Sequence, residues 1–237
     1  MVQGGVGAQH RARQGRRRLA RMDLREAIRT TGSVRDFRDE PVADELVVSI
    51  LDDARFAPSG GNRQPWRVVL VKDVAIRAQL GALMQPVWDE YVAASRTGAT
   101  PFNPVDYRPP AERIHASNTL LDNIEHVPVV LAVAADLRQI SALDASLDRV
   151  SIVPGASIYP FCWNVLLAAR ERGLGGVLTT FLSRVEPASA PLLELPAHHA
   201  LAAMIYLGYP VHQPTQLRRK PVEAFASIDV FEGVPLG

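Results

Sequence analysis

The chain has 237 residues, 47% hydrophobic and 22% charged, with a single cysteine, Cys162. That composition is ordinary for a globular protein large enough to bury its own core, the lone cysteine excludes an intrachain disulfide, and the sequence holds no apolar run of membrane-spanning length. The formal charge of +1 is uneven: residues 1–21 hold Arg11, Arg13, Arg16, Arg17, Arg18 and Arg21 with no acid, leaving 20 basic against 25 acidic side chains beyond them. A mildly acidic body argues against general nucleic-acid binding. The arginine-rich start reads as a disordered extension, ahead of a basic arm, a targeting peptide or upstream sequence. No apolar segment follows the arginines as a secretory signal requires. Met22 opens the segment expected to fold, residues 22–237.

Asp23 is placed to cap a helix from Leu24 to about Thr31, with Leu24, Ala27 and Ile28 on one face and Gly32 at its end. A second helix is predicted over Asp44–Phe56, between Pro41 and Pro58. A short loop then runs into an apolar strand, Arg67–Lys72. Leu80, Leu83, Val87 and Tyr91 give helical spacing over 75–95, where Pro86 is positioned to kink or break the helix. Residues 96–110 read as an irregular loop and Ala111–Glu125 as a helix. Val127–Ala135 is a continuous apolar run, as a strand buried on both faces requires. Residues 136–150 are polar, helical in character, and suited to a lid. Ala156–Arg172 is an apolar helix ending at Gly173, followed by a glycine turn into a short strand within Gly173–Phe181. A short helix within 185–195, a buried strand Ala200–Gly208 and an extended polar tail after Pro210 complete the chain. Helices flanking a few apolar strands make an α+β layered domain.

The loop is the most informative segment. Ala57–Val71 reads APSGGNRQPWRVVLV. Gly60 and Gly61 let backbone approach a ligand closely, and the Asn62 and Gln64 amides both donate and accept, as the edge of a heteroaromatic ring requires. The run resembles the flavin-binding loop of the FMN-dependent nitroreductase family, whose pattern is Pro-Ser, two variable positions, Asn, one variable position, Gln-Pro-Trp. Pro58, Ser59, Asn62, Gln64, Pro65 and Trp66 fill every fixed position.

The resemblance extends to three more segments. In Arg29–Phe37 (RTTGSVRDF), Ser33 and Arg35 align with a phosphate-binding pattern, while Thr31 stands where the family usually has arginine. Arg29 could supply that charge from another turn. Gly173–Thr180 matches a Gly-Leu-Gly turn and short strand under the isoalloxazine, which implies Leu178, Thr179 and Thr180 near the ring. Leu217–Pro221, after the Gly-Tyr-Pro at 208–210, matches a basic C-terminal phosphate contact, which implies Arg219 and next to it Arg218. Trp66 is expected to anchor the loop by packing. Trp163 precedes Asn164 where related chains often carry Gln-Asn.

The resemblance implies a nitroreductase-like layered fold with a mostly antiparallel central sheet flanked by helices, paired as an intertwined homodimer. FMN would lie at the interface, held by Arg29, Ser33, Arg35, Pro58, Ser59, Gly60, Asn62, Gln64, Leu178, Thr179, Thr180, Arg218 and Arg219. The loop would reach the flavin of the other subunit, and about 96–150 would form the variable substrate region. The implied activity is reduction of nitroaromatic, quinone or conjugated small-molecule acceptors by NADH or NADPH in ping-pong fashion, in the cytoplasm. A specialised flavin enzyme of the same fold, flavin-cleaving or dehalogenating, and a non-catalytic flavin-binding protein are the alternatives. No side chain is required as acid, base or nucleophile, because the cofactor carries the hydride chemistry. His115, His126, His198 and His199 show no metal spacing, and adjacent His198 and His199 are expected to point apart.

Overall fold

The computed structural model describes residues 22–112 and 114–237, so the extension expected at 1–21 lies outside the described residues. The Asp23 side chain accepts from the Arg25 N–H and caps α1 (Leu24–Thr30). In α2 (Asp44–Ala54) two acids sit at the positive helix end, and Val47, Ile50 and Ala54 are buried. β1 is Trp66–Leu70, and α3 (Val74–Arg96) is capped by Asp73, which accepts from the Ala75 and Ile76 N–H groups. Then follow α4 (Thr119–Asp122), β2 (Val129–Asp136), α5 (Tyr159–Glu171), β3 (Gly175–Thr179), α6 (Phe181–Arg184), α7 (Glu186–Leu192) and β4 (His199–Gly208).

The four strands form one sheet in the order β1-β2-β4-β3, with every neighbouring pair antiparallel. All eight residues of β2 are buried, as its unbroken apolar run requires. Val129, Leu131, Val133 and Ala135 face a core built with α2 and α5, whereas Val130 and Ala132 face a second core built with α3, α4 and α6. The pairing slips once: Val133 faces Ala203 and Ala134 faces Leu201, so Ala202 is an extra residue on β4. That bulge turns Leu201 and Ala203, two apart in sequence, into opposite cores. The expected α+β layering with an antiparallel sheet is observed.

Four expectations need correction. Pro86 does not end α3, which runs from Val74 to Arg96 with the proline inside. The helix expected over 111–125 is mostly absent. Only Thr119–Asp122 is α-helical, with a 3-10 turn at Ile124–His126. Its backbone groups are taken by α3 side chains instead: the Ala116 N–H donates to Asp89 (2.9 Å), and the Ala116 and Ser117 carbonyls accept from Gln85 (3.0 Å) and Trp88 (3.3 Å). The helix expected from Ala156 starts at Tyr159, after a 3-10 turn over Val153–Ser157.

Residues 136–150 are not helical beyond a 3-10 turn at Leu137–Gln139. Two buried aspartates organise this stretch. Asp144 accepts from the Ser151 hydroxyl (2.6 Å), the Arg149 guanidinium (2.7 Å) and the Ile152 N–H (2.9 Å). Asp136 accepts from Arg138 Nε (3.0 Å) and Nη2 (2.8 Å) and from Gln139 (2.9 Å). These donors hold both carboxyls well below the usual carboxylate range, with the Ser151 hydroxyl the largest cause at Asp144 and Arg138 at Asp136.

A carboxyl depressed in the fold stabilises it above the ordinary carboxylate value and loses that contribution as pH falls below it. Asp144→Asn is therefore expected to flatten the acid limb of the stability profile from about pH 4 downward. The same variant should raise amide exchange over residues 145–153, and unchanged exchange there would show that Asp144 does not organise the segment.

Candidate functional site

Trp66 starts β1 and stacks on Phe161 of α5, with ring centroids 4.8 Å apart and 8° between planes. This anchors the preceding loop as expected. Inside the loop, Gly61, Asn62 and Gln64 all have positive φ, at 60°, 53° and 52°. For the two non-glycine residues this is the left-handed region, which costs energy unless the surroundings hold it. Ser59 Oγ accepts from the Gln64 N–H (2.9 Å), and Ser157 Oγ accepts from the Gly60 N–H (3.1 Å). At the loop's end the Asp136 N–H donates to the Pro65 carbonyl (2.8 Å). The Asn62 and Gln64 side chains are exposed and joined by a 3.2 Å hydrogen bond, while Pro58 and Gly60 are also exposed.

The other three segments meet at the opposite edge of the sheet. Ser33 bridges to Gly176 of β3, where the Val34 N–H donates to the Gly176 carbonyl (2.9 Å). Val34 also fills the space a Cβ at Gly175 would need, 2.7 Å away. The Arg38 N–H donates to the Tyr209 carbonyl (2.8 Å), and the Val211 N–H to the Asp36 carbonyl (3.2 Å). Pro214 and Leu217 press on Gly32, each 2.9 Å from where its Cβ would stand. Ser33, Arg35, Arg218 and Arg219 are therefore exposed at the rim of one zippered unit. Among the described residues, Arg29, Arg35, Arg218 and Arg219 pair with no carboxylate, and Arg219 Nη1 donates to the Arg218 carbonyl (2.7 Å). Such free guanidiniums suit a dianionic phosphate. Leu178 is half-buried, Thr179 buried and Thr180 exposed at the start of α6. The Thr31 hydroxyl turns back to the Ala27 carbonyl (2.6 Å) and is buried, so it offers nothing outward.

The loop and this unit do not meet. β1 and β3 are opposite edges, and no hydrogen bond among the described residues joins 58–66 to 29–38 or 213–219. By strand spacing and rise they stand roughly 14 Å apart across the sheet and about 20 Å along it. Beside the loop lies an apolar cleft of about 730 Å³, lined by Ala135, Leu137, Ile140, Ile152, Tyr159 and Ala202.

His198 and His199 do not diverge as expected. Their rings lie 4.6 Å apart, and with Asp136, the β2 residue opposite His199, they bring three possible metal-ligand atoms within 4.8 Å of one another. Register explains this, since His199 pairs with Asp136 at the end of the sheet. Arg138 and Gln139 already occupy both Asp136 oxygens, so a metal ion would have to displace a bidentate guanidinium. Cys162 is fully buried, and burial pushes its thiol up to about 12, so it is a packing residue. Sequence reasoning missed Ser157, which reaches the loop from 97 residues away with no local signal.

A model described as the nitroreductase family matches residues 28–209. The chain belongs to the nitroreductase family. Its similarity reaches an NADH dehydrogenase of Thermus thermophilus, 27% identical over 211 residues, covering 85% of this chain and 94% of that protein. A 5,6-dimethylbenzimidazole synthase of Rhodospirillum rubrum is 30% identical over 179 residues, covering 75% of this chain and 77% of that protein. Among solved structures, an oxidized iodotyrosine deiodinase bound to FMN and 3-iodo-L-tyrosine shares the fold. Its TM-score is 0.64 at 20% identity, and the match covers 88% of this chain and 100% of that one. The chain is thus a nitroreductase-family oxidoreductase with the family's α+β fold. Among the described residues no helix is long and apolar enough to cross a membrane.

The loop geometry gives a direct test. Ser59→Ala should free the Gln64 N–H, cost about 1 kcal/mol in urea denaturation, and raise amide exchange at 60–64. Unchanged exchange would mean the left-handed residues are held by something other than Ser59.

Proposed function

We propose that this chain is an FMN-dependent oxidoreductase that works as a homodimer, with NADH or NADPH as donor. A nitroaromatic, quinone or conjugated carbonyl compound would be the acceptor. One observation carries the reading: the Pro58–Trp66 loop and the unit formed by the other three flavin-like segments lie at opposite edges of the sheet. A single flavin reached by both calls for one segment from each of two chains. Exposed Tyr159 (44%) and Trp163 (40%) on α5 supply apolar surface for such pairing.

The residues fit the cofactor. The free guanidiniums of Arg35, Arg218 and Arg219, with the Ser33 hydroxyl, hold the phosphate end. Thr179, Thr180 and half-buried Leu178 form the strand under the ring. Exposed amides of Asn62 and Gln64, fixed in the left-handed region, present donors and acceptors from the partner. A bound flavin would supply two-electron hydride chemistry between nucleotide and acceptor. The protein contributes placement, electrostatics and exclusion of water, and no side chain serves as nucleophile. The apolar cleft beside the loop favours a flat, weakly polar acceptor. Diffusible pyridine nucleotide as donor is consistent with a cytoplasmic enzyme.

Purified protein is expected to show flavin absorption bands that are bleached anaerobically by NADH or by NADPH. Asn62→Ala should lower flavin content and the reduction rate together. Bound flavin left oxidised by both nucleotides would favour a specialised enzyme, a reading supported by the 30% identity to a 5,6-dimethylbenzimidazole synthase. A chain that neither carries nor takes up flavin would overturn the proposal.

A further inference from the structure

Two arginines leave the last turns of α5 with opposite surroundings. Arg172 is saturated: Nε donates to Ser49 Oγ (3.0 Å), Nη1 to the Ala168 carbonyl (3.0 Å) and Glu171 (3.1 Å), and Nη2 to Asp53 (2.6 Å). Arg170 is half-buried and makes one long hydrogen bond, from Nη2 to Thr30 Oγ1 (3.4 Å). Its Nε is buried with no partner, and no carboxylate among the described residues pairs with it. A partly desolvated guanidinium with one of five donors engaged is an unfavourable arrangement unless an anion completes it.

The deficit lies beside the position where the phosphate-binding arginine is missing. Thr31 replaces that arginine, and its hydroxyl is spent on Ala27. Arg170 reaches Thr30, the neighbouring residue, from the adjacent helix. Gln213 reaches Thr30 from the other side, donating Nε2 to the Thr30 carbonyl (3.1 Å) and the Pro214 carbonyl (3.3 Å). Gln213 Oε1 is buried and accepts nothing. The cluster therefore holds an unpaired donor, Arg170 Nε, and an unpaired acceptor, Gln213 Oε1, both tied to one residue. Gln213 also leads into Leu217, which packs on Gly32, and so to Arg218 and Arg219.

We propose that Arg170 is the cation that takes the flavin phosphate in place of the arginine absent at position 31. This rests on the flavin-binding reading above. Leaving Thr30 breaks a single long hydrogen bond. Donating Nε to Gln213 Oε1 fixes the plane of the guanidinium and satisfies both unpaired atoms. The two terminal amino groups are then free to bind a phosphate through parallel hydrogen bonds. Gln213 is a positioning residue in this arrangement.

The test separates phosphate binding from folding by comparing FMN with riboflavin, which lacks the phosphate. Full-length wild type, Arg170→Met and Arg170→Gln are stripped of flavin and titrated with each ligand by fluorescence quenching. Arg170→Met should weaken FMN by about 10- to 100-fold, the worth of a charged hydrogen bond, and leave riboflavin within about twofold. Arg170→Gln keeps a polar side chain without the charge, and should show the same selective loss if Arg170→Met does not fold. An unchanged FMN-to-riboflavin affinity ratio, whether both fall or neither does, overturns the proposal. Wild type that binds neither ligand overturns the flavin reading instead.

Discussion

A strand with no polar face dictates most of this architecture. Each residue of β2 is buried, so water can satisfy none of its amides or carbonyls. β1 and β4 must pair with it on both sides, and helices must cover both faces. α2 and α5 close one face, and α3, α4 and α6 the other. The same strand separates the two regions rich in ligand-like groups. The Pro58–Trp66 loop is tied to its Asp136 end, while the Ser33 and Arg218 segments gather beyond the far edge at β3. A single flavin touching both regions, as proposed above, would therefore require two chains, since no rearrangement of side chains spans that distance.

The two regions use different physics. The loop depends on backbone strain held by small hydroxyl groups: left-handed Asn62 and Gln64 are kept in place by Ser59 and Ser157 and by the stacked Trp66 and Phe161. Strain of this kind persists where the surroundings over-determine it, and such places are often functional. The far edge depends on charge left uncompensated. Among the described residues the guanidiniums at 35, 170, 218 and 219 pair with no carboxylate, in a body that is acidic overall. Arg77 is the contrast: its buried side chain donates to the Val71, Glu125 and Val127 carbonyls.

The legible parts of the fold were those where a single segment carries its own signal. The apolar run of β2 marked a strand buried on both faces, and the Asp23 cap marked α1. The loop pattern was complete because its chemistry is local, with serine, amides, prolines and tryptophan at fixed spacing. What the sequence concealed was tertiary competition for backbone groups. The stretch before α4 has helical composition, yet Asp89, Gln85 and Trp88 claim its amides and carbonyls. Asp144 similarly collects hydroxyl, guanidinium and amide donors, making a fixed turn from residues that read as helical. The His198–His199–Asp136 cluster depended on strand register, which adjacent histidines do not reveal. Arg170 carried no signal of its own, because nothing around it in sequence names Thr30 or Gln213 as neighbours.

The sealed thiol of Cys162 has a practical corollary. It is the chain's one sulfhydryl, it is fully covered by the core between α2, α5 and the sheet, and it stays protonated. An alkylating reagent reaches it only when that core opens, so the rate of its modification reports global opening and ignores surface motion. The same silence makes the natural chain a blank background for labelling. A cysteine introduced at any exposed position would be the one reactive sulfur on the folded protein, and a probe attached there would report a single place.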